Sequence, residues 1–544
     1  MQNYIYNMTT EDIADALELT GKLLELHNEN PFKVKAINSA AYKLGKTRLD
    51  LNNLSIEELT KIEGISKSLA EKIHAFTTTG TTPELSELQA KTPIGVIDML
   101  GIKGLGPKKV RQLWQELEIE SVTDLLYACH ENRLIELKGF GAKTQNSIIA
   151  NIEFKLKNTG KFHYAYAEKI GKPIIEQLLQ QTDLVSYTGT MYRKCEVIEE
   201  IDILIGNESI DTDEFISEQI PINFIQVNPT IFYRTLVETS STKEHLEGIH
   251  FSELKTKLYK SEEDVYVSLN KQYCEPELRE GLFELEKAKA HTLPKLIESA
   301  DLKGILHNHS TYSDGMNSLE EMAVYCKQLG YEYLGICDHS QTASYAGGLK
   351  VEQVLLQQDE IKKLNQQLAP FKIFKGIESD ILGNGNLDYE EDILKTFDFI
   401  VASVHANLKM DEEKATNRLL KAIENSYTTI LGHPTGRLLL GRPGYPIDHK
   451  KIIDACAANN VVIELNAHPY RLDIDWRWIP YCLEKGVMIS INPDAHQLKG
   501  YHDMNYGINV ARKGLLTKEQ CFNSKSLAEC ILIIEISSLS QNDF

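Results

Sequence analysis

Nine side chains of metal-binding type recur through the C-terminal part of the chain: His307, His309, Asp314, His339, Glu378, His405, His433, Asp494 and His496. Imidazoles and carboxylates are the donors that hold zinc, manganese or iron. A single histidine of this kind is more often a buried or surface residue with no chemical role. This set is different because of where its members fall. Eight lie at the ends of the apolar runs GILHNHS, YLGICDHS, IFKGIESDI, FDFIVASVH, TTILGHPT and VMISINPDAH, and Asp314 follows in the first loop. Clustered metals would lower the pKa of a water and neutralise phosphate oxygens, which is the chemistry of phosphoester hydrolysis. Arg437 and Arg442, just after His433, are read in two ways, as ligands for a substrate phosphate or as solvated loop charges.

The elements that must position these residues are legible as a repeat. Polar, helix-like stretches such as SLEEMAVYCKQLG, VEQVLLQQDEIKKLNQQL and EEKATNRLLKAIENS separate the apolar runs, and VVIELNA supplies a further run. A repeated βα unit builds a parallel sheet or barrel, and in a barrel the C-terminal strand ends form one rim.

Two other parts of the chain could do chemistry. In GTMYRKCEVIEEIDILIG (189–206), a Gly189-Thr190 turn precedes Glu200 and Asp202, carboxylates at alternate positions of an apolar run. On a strand these share a face and could hold a divalent metal. Nearer the N-terminus, KIEGISKSLAEKI (61–73), IKGLGPKKVRQLW (102–114) and LKGFGAKTQNSII (137–149) share one design. Each has a helix end, a Gly-apolar-Gly or Gly-apolar-Ser turn, and a new helix. The second helix presents free N–H groups and a positive dipole end, which favour a phosphate. Gly64, Gly104, Gly106, Gly139 and Gly141 make the turns, with Lys108, Lys109 and Lys143 beside them.

The bulk numbers frame these motifs. At 544 residues the chain is long enough for roughly three or four domains. Residues 5–150 read as amphipathic helices. Residues 160–240 read as mixed α and β, with DLVSYTGTMYR, EEIDILIG and INFIQVNP as strands and a helix from about Thr212 to Gln219. Residues 243–292 are charged and helical or irregular. The net charge is −20, yet residues 1–160 are close to balanced, so a DNA-binding N-terminal third is compatible with the composition. The N-terminus lacks the pattern of a secretory signal and no apolar run is long enough to span a bilayer. Nine scattered cysteines without a CxxC pair suit reduced thiols. The expectation is a cytoplasmic protein with no membrane partner.

The hairpins resemble the helix-hairpin-helix motif, which grips DNA backbone without reading sequence. LHNHSTYSDG, ICDHS, GIESDIL, SVH, GHPTGR and NPDAH resemble the polymerase and histidinol phosphatase (PHP) domain family over about residues 304–510. That resemblance implies a distorted (β/α)7 barrel with up to three metals, manganese or zinc with iron as a further option. One would be held by His307, His309, Glu378 and Asp494. A second would be shared through Glu378 with His405 and His433, and a third would sit with Asp314, His339 and His496. Glu464 and Asn466 end the sixth strand in supporting roles.

The order of parts resembles bacterial family X DNA polymerases. NPFKVKAINSAAYKL (30–44) is similar to their DNA-end-binding domain and CEPELREG (274–281) to the segment before their PHP domain. The division implied is an N-terminal helical domain (1–82), a fingers-like domain (83–155), a nucleotidyltransferase-like α+β palm (156–242), a shortened thumb-like region (243–292), a linker (293–303) and the PHP domain (304–544). The family fills gaps in damaged DNA, and its PHP domain trims 3′ ends.

This sequence departs from the family at the palm. A Gly-Ser turn is Gly-Thr here, an Asp-x-Asp pair is Glu200-Ile201-Asp202, and a third Asp falls at Asn223. A Thr-Gly-Ser…His-Asn signature reads Ser240-Ser241-Thr242-Lys243-Glu244-His245-Leu246. The expectation is therefore a DNA-repair phosphoesterase: a metal-dependent 3′–5′ exonuclease, with 3′-phosphatase or abasic-site endonuclease activity as options. Its palm has lost or weakened polymerase activity and holds Mg²⁺ or Mn²⁺ poorly, if at all. Its partners would be DNA gaps, nicks or 3′ ends, and a monomer is favoured. A working gap-filling polymerase and a non-catalytic DNA-binding scaffold stand as alternatives.

Overall fold

The computed structural model describes residues 8–45, 51–52, 54–62, 65–130, 133–134, 137–215, 217, 219–255 and 257–539. The chain divides into two compact units, at Thr159/Gly160.

The first unit is helical. Its opening helix, Thr10–Leu26, starts at a capping box in which Thr9 and Asp12 satisfy each other's backbone N–H groups. Ile13, Leu17 and Leu24 fall on one face and are buried. The three hairpins repeat one turn. The apolar residue between the small residues closes it, with Ile65 N donating to Ile62 O, Leu105 N to Ile102 O and Phe140 N to Leu137 O. Ile65, Leu105 and Phe140 are all buried. Of the glycines in the two later turns, only Gly104 and Gly139 need the left-handed region, each with φ +91°. Gly64 lies outside the described residues.

The second unit carries two mixed regions and a barrel. Strands β1 (Phe162–His163) and β3 (Val197–Ile198) pair antiparallel. β2 (Val185–Tyr187), β4 (Ile201–Ile205) and β5 (Ile222–Gln226) form a three-stranded sheet in the order β2-β4-β5. Two sequence expectations change here. The strand expected across DLVSYTGTMYR ends at Tyr187, because Gly189 at φ +59° turns the chain into a short helix, Gly189–Tyr192. The helix expected at Thr212–Gln219 is a single 3-10 turn, Asp213–Phe215, among the described residues.

Seven parallel strands follow: β6 (Gly304–Ile305), β7 (Tyr333–Ile336), β8 (Lys372–Asp380), β9 (Phe399–Ser403), β10 (Ile430–Leu431), β11 (Val462–Asn466) and β12 (Ile489–Asn492). Their order is sequential, and the ends meet where His309 N donates to Ala495 O at 2.9 Å, so the sheet is a nearly closed barrel. Continuous apolar strands buried on both faces are what a parallel sheet covered by helices requires. Ile305, Ile336, Ile377, Ile400, Ile463 and Ile491 join one buried core with the covering helices.

The barrel and the palm-like region are not separate bodies. Lys513, at the end of helix Met504–Lys513, is fully buried and its Nζ donates to Glu280 Oε1 at 2.6 Å. Glu280 also receives Arg193 Nε at 3.2 Å from the palm-like region. The segment 293–303, expected as a linker, is packed into this junction, with Ile297 buried and its N–H bonded to Leu516 O. Removing one partner of a buried ion pair leaves the other charge stranded, at a cost of about 3–5 kcal/mol. Because Arg193 still meets Glu280, Lys513→Met is expected near the lower end, about 3 kcal/mol. Urea unfolding of the variant and parent measures it.

Candidate metal centre

Glu378 is the middle of the site. It is buried near the end of β8, and five imidazoles reach its carboxylate. His339 Nδ1 lies 2.9 Å from Oε2. His405 Nε2 and His433 Nε2 each lie 3.1 Å from Oε1. His307 Nε2 lies 3.3 Å from Oε1 and His309 Nε2 3.7 Å from Oε2. Asp494 closes the opposite side, its Oδ1 at 3.0 Å from His309 Nε2 and 3.6 Å from His307 Nε2. Asp314 Oδ1 lies at the more exposed mouth, 3.4 Å from His496 Nε2 and 3.7 Å from His339 Nε2.

All nine sequence-selected residues therefore converge. Three sets of donor atoms lie mutually within 4.8 Å: His309, Asp314, His339 and His496; His307, His309 and Glu378; and His339, Glu378 and His405. The sets overlap more than the sequence grouping implies, since His309 and His339 each belong to two.

A second layer aims these donors. Glu464 Oε1 sits 2.6 Å from His307 Nδ1, and Glu464 Oε2 accepts the backbone N–H of His433. Asp380 Oδ1 sits 2.5 Å from His405 Nδ1. A carboxylate on one ring nitrogen fixes the tautomer and turns the other nitrogen's lone pair inward, as in metal sites generally. Asn466 Nδ2 donates to Asp494 Oδ2 at 3.1 Å. Asp338 ties down the 310–313 loop by accepting from Ser310 and Ser313. Asp380, Asp338 and Arg471, whose Nε lies 3.8 Å from Asp494 Oδ2, were not singled out by sequence reasoning. Asp380 carried a signal, being two residues from Glu378 on the same strand face.

The donor set fits a divalent cation. His307 Nε2, His309 Nδ1 and His433 Nδ1 are buried without a hydrogen-bond partner, an arrangement that costs free energy unless something else meets those atoms. The protein's own charges point the same way. Burial would raise the pKa of Glu378, but His405, His307 and His339 hold it well below the usual carboxylate range. Burial likewise opposes Asp494, which His307 and His309 keep ionised. Burial would lower His405, yet Glu378 and Asp380 raise it to about 10; His496, against the same penalty, is raised to about 9 by Asp314 and Asp494. His309 goes the other way, to about 3, through burial and the neighbouring His496 and His339. The carboxylates thus demand positive charge, which protons supply when no metal does.

Two ligand positions are also unusual in backbone. His307 (φ +60°) and Asp494 (φ +52°) both sit in the left-handed region just past strand ends. Such non-glycine conformations persist only where surroundings over-determine them, and they cluster at functional sites.

The arginine alternative resolves in part. Arg437, read either as a phosphate ligand or as a solvated loop charge, is engaged within the protein by Arg471 O, Leu472 O and Asp475 Oδ2. Arg442 donates Nε to Gly436 O, and burial together with Arg471 lowers its pKa.

The palm-like constellation is assembled differently. Glu200 lies exposed in a bend just before β4, off the strand the sequence placed it on. Asp202 faces Asn223 across β4 and β5, and Asn223 Nδ2 donates to Asp202 Oδ1 at 3.0 Å. A Cβ on Gly189 would stand 2.3 Å from Asp202 Oδ2, so glycine is what lets the turn close over this carboxylate. Among the described residues, every group of potential metal donors lies in the barrel.

In the hairpins, a Cβ added to Gly104, Gly106, Gly139 or Gly141 would meet nothing within 4 Å. Gly106 and Gly141 also lack a positive φ, so neither packing nor conformation within the chain accounts for glycine there. Ser66, in the first hairpin, caps helix Lys67–Thr79 through Leu69 N. Lys108 Nζ lies 3.9 Å from Glu25, Lys109 Nζ stands 5.5 Å from the Phe140 ring, and Lys143 is exposed.

Family models match three stretches of the chain: a helix-hairpin-helix domain over residues 8–82, a SAM-like helix-hairpin-helix tandem over 96–153 and a PHP domain over 306–468. Barrel, donor cluster and turns together define a helix-hairpin-helix protein with a C-terminal PHP domain. The DNA polymerase/3′-5′ exonuclease PolX of Bacillus subtilis (strain 168) is 32% identical over 567 residues, covering 96% of this chain and 98% of that one. The chain belongs to this family, the family X DNA polymerases with a PHP domain. A probable phosphatase of Clostridium novyi (strain NT) is 27% identical over 202 residues, 35% of this chain and 78% of its own. A histidinol phosphate phosphatase of Lactococcus lactis subsp. lactis Il1403, solved with zinc, L-histidinol and phosphate, is 16% identical, covering 39% of this chain and 93% of that one at a TM-score of 0.31.

The charge balance gives a signed expectation. His405 and His496 have folded pKa values raised to about 10 and about 9 from 6.5. Their stabilisation is complete below about 6.5 and is lost as pH rises through 9 to 10. Metal-free protein is therefore expected to lose several degrees of melting temperature between pH 7 and 10. Metal loading should displace those protons, acidifying a weakly buffered solution at pH 7.5 and flattening the pH profile. Thermal melts and a pH-indicator dye read both effects.

Proposed function

We propose that the barrel is a metal-dependent 3′–5′ exonuclease acting on DNA ends, that the helix-hairpin-helix turns hold the DNA backbone, and that the palm's polymerase activity is weak or lost. The observation that carries the nuclease reading is the buried Glu378 carboxylate with five imidazoles around it, backed by Glu464 and Asp380. Manganese or zinc, held by the nine donors, would lower the pKa of a water and offset the charge of the phosphate under attack. The chain's own residues have separate tasks. Glu464 and Asp380 keep a proton on His307 Nδ1 and His405 Nδ1 so that each Nε2 faces inward. Arg471, beside Asp494, is placed to meet a phosphate oxygen.

The hairpin glycines support DNA as the partner. Open space in front of Gly106 and Gly141 lets a phosphate approach backbone N–H groups at the starts of helices Pro107–Leu117 and Ala142–Asn158. Such contacts position DNA without reading its sequence, which suits binding at gaps, nicks and 3′ ends. The palm reading rests on Asn223, whose amide N–H occupies the Asp202 oxygen that a catalytic metal would need.

With Mn²⁺ and a 3′-recessed labelled primer, the purified protein is expected to shorten the primer from its 3′ end. Asp380→Asn should slow this by about 10- to 100-fold, the usual cost of losing a carboxylate behind a metal-bound histidine. His339→Ala should slow it further, and equal rates in parent and His339→Ala would refute the assignment.

A gap-filling polymerase is the second reading, favoured by Asp202 remaining under the Gly189 turn. In the His339→Ala background, Glu200→Asp with Asn223→Asp is expected to raise templated extension by about 10-fold or more, since misplacing a metal ligand by about 1 Å costs about 100-fold. Robust extension by the unmodified palm, lost on Asp202→Ala, would establish the second reading instead.

A further inference from the structure

The loop after β11 runs along the mouth of the metal centre. Asn466 ties it to the site, donating Nδ2 to Asp494 and accepting the N–H of His468 on Oδ1 at 3.1 Å. Tyr470 and Arg471 follow, with Arg471 Nε 3.8 Å from Asp494 Oδ2. The loop is braced along its length. Asn466 N donates to Asp473 O at 2.6 Å, Ile474 N to Glu464 O, and Leu439 N to Tyr470 O at 2.7 Å. Arg437 holds Arg471 O and Leu472 O.

On this fixed backbone Tyr470 leaves 50% of its surface exposed. Its ring does not simply lie on solvent. The His163 imidazole stands 4.2 Å away, centroid to centroid, with 33° between planes, and the His468 ring, which feels the charges of Asp494 and His496, is 5.2 Å away. His163 comes from β1 of the palm-like region and its Nε2 is 2.9 Å from Leu439 O, so it is fixed by the same loop pair that fixes Tyr470. An exposed aromatic held by backbone hydrogen bonds and a neighbouring ring has already lost the freedom that binding would otherwise cost. Arg471 follows it in the chain, and Arg442 lies close enough to Arg471 to feel its charge.

A nuclease that ignores sequence still needs a grip on the nucleotide it removes. Every base offers a π face, and base–aromatic stacking is insensitive to sequence. We propose that Tyr470, propped by His163, is the stacking platform for the nucleobase of the DNA 3′-terminal nucleotide, and that the palm-like region thereby supplies a positioning residue to the barrel's active site. This rests on the reading of the barrel as a 3′-end nuclease.

The test uses full-length protein with Mn²⁺ and two single-stranded oligonucleotides, identical except that one ends in an ordinary nucleotide and the other in an abasic tetrahydrofuran nucleotide. For the parent, kcat/KM for removing the terminal nucleotide is expected to favour the base-bearing end by about 10-fold. Tyr470→Ala should collapse that ratio toward 1, mainly through KM. His163→Ala should lower it part of the way, and Tyr470→Trp should restore it. A parent that shortens neither oligonucleotide removes the nuclease reading and the platform with it. A parent that shortens both, with a ratio the same in Tyr470→Ala, removes the platform alone. Should Tyr470→Ala fail to fold, the parent suffices: 2-aminopurine at the 3′ end of a cleavage-resistant phosphorothioate oligonucleotide should lose fluorescence on binding, and an unchanged or brighter signal overturns the proposal.

Discussion

A buried carboxylate cannot stay ionised alone, and much of this structure follows from how Glu378 is accommodated. Its desolvation is opposed by His405, His307 and His339, from the segments following three other strands, so the residues that neutralise it are drawn from His307 to His405 in sequence. Only an architecture that brings every strand's C-terminal end to one rim can deliver them. The barrel's near closure, joining His309 to Ala495, is part of the same requirement, because His309 and Asp494 must meet across the seam. The left-handed backbone at His307 and Asp494 is the local cost of aiming two ligands inward just where their strands stop.

The palm-like sheet has the opposite balance. There Asn223 donates a hydrogen bond from its amide to the Asp202 carboxylate across the sheet. Asp202 Oδ1 has a hydrogen-bond partner without a cation, where His307 Nε2, His309 Nδ1 and His433 Nδ1 have none. Orphaned imidazole nitrogens in the barrel and a contented carboxylate in the palm are two outcomes of one rule, that buried or half-buried polar atoms must find partners.

Much of this was legible in the sequence, and the pattern of what was not is informative. The ligands announce themselves because their types are distinctive and strand ends are fixed by apolar runs. The repeated βα units and the hairpins are legible for the same reason, as periodicity and glycine spacing are local properties, whereas closure into a (β/α)7 barrel was implied by the family resemblance. Contacts between loops are not local. Asp380 was passed over although it lies two residues from Glu378, because its role depends on where His405 arrives. By its place after His433, Arg437 read equally as a phosphate ligand or a solvated loop charge, and its fork is filled by a loop thirty-odd residues later in the chain. The helix expected near Thr212 reduced to one turn, and the strand expected through Gly189 bent into a helix, since a glycine allowed a close approach that propensity does not encode. The linker before the barrel was read from its position and proved to be packed, with Ile297 in the interior.

That packing bears on how such a chain can evolve. Lys513 of the barrel, Glu280 from the segment before it and Arg193 beside the three-stranded sheet share one buried set of charges. A lineage that no longer uses the palm's chemistry is not thereby free to discard its sequence, because deletion would strand charges inside the enzyme that remains. Selection on the barrel alone would keep the surrounding framework in place, whatever chemistry the palm-like sheet performs.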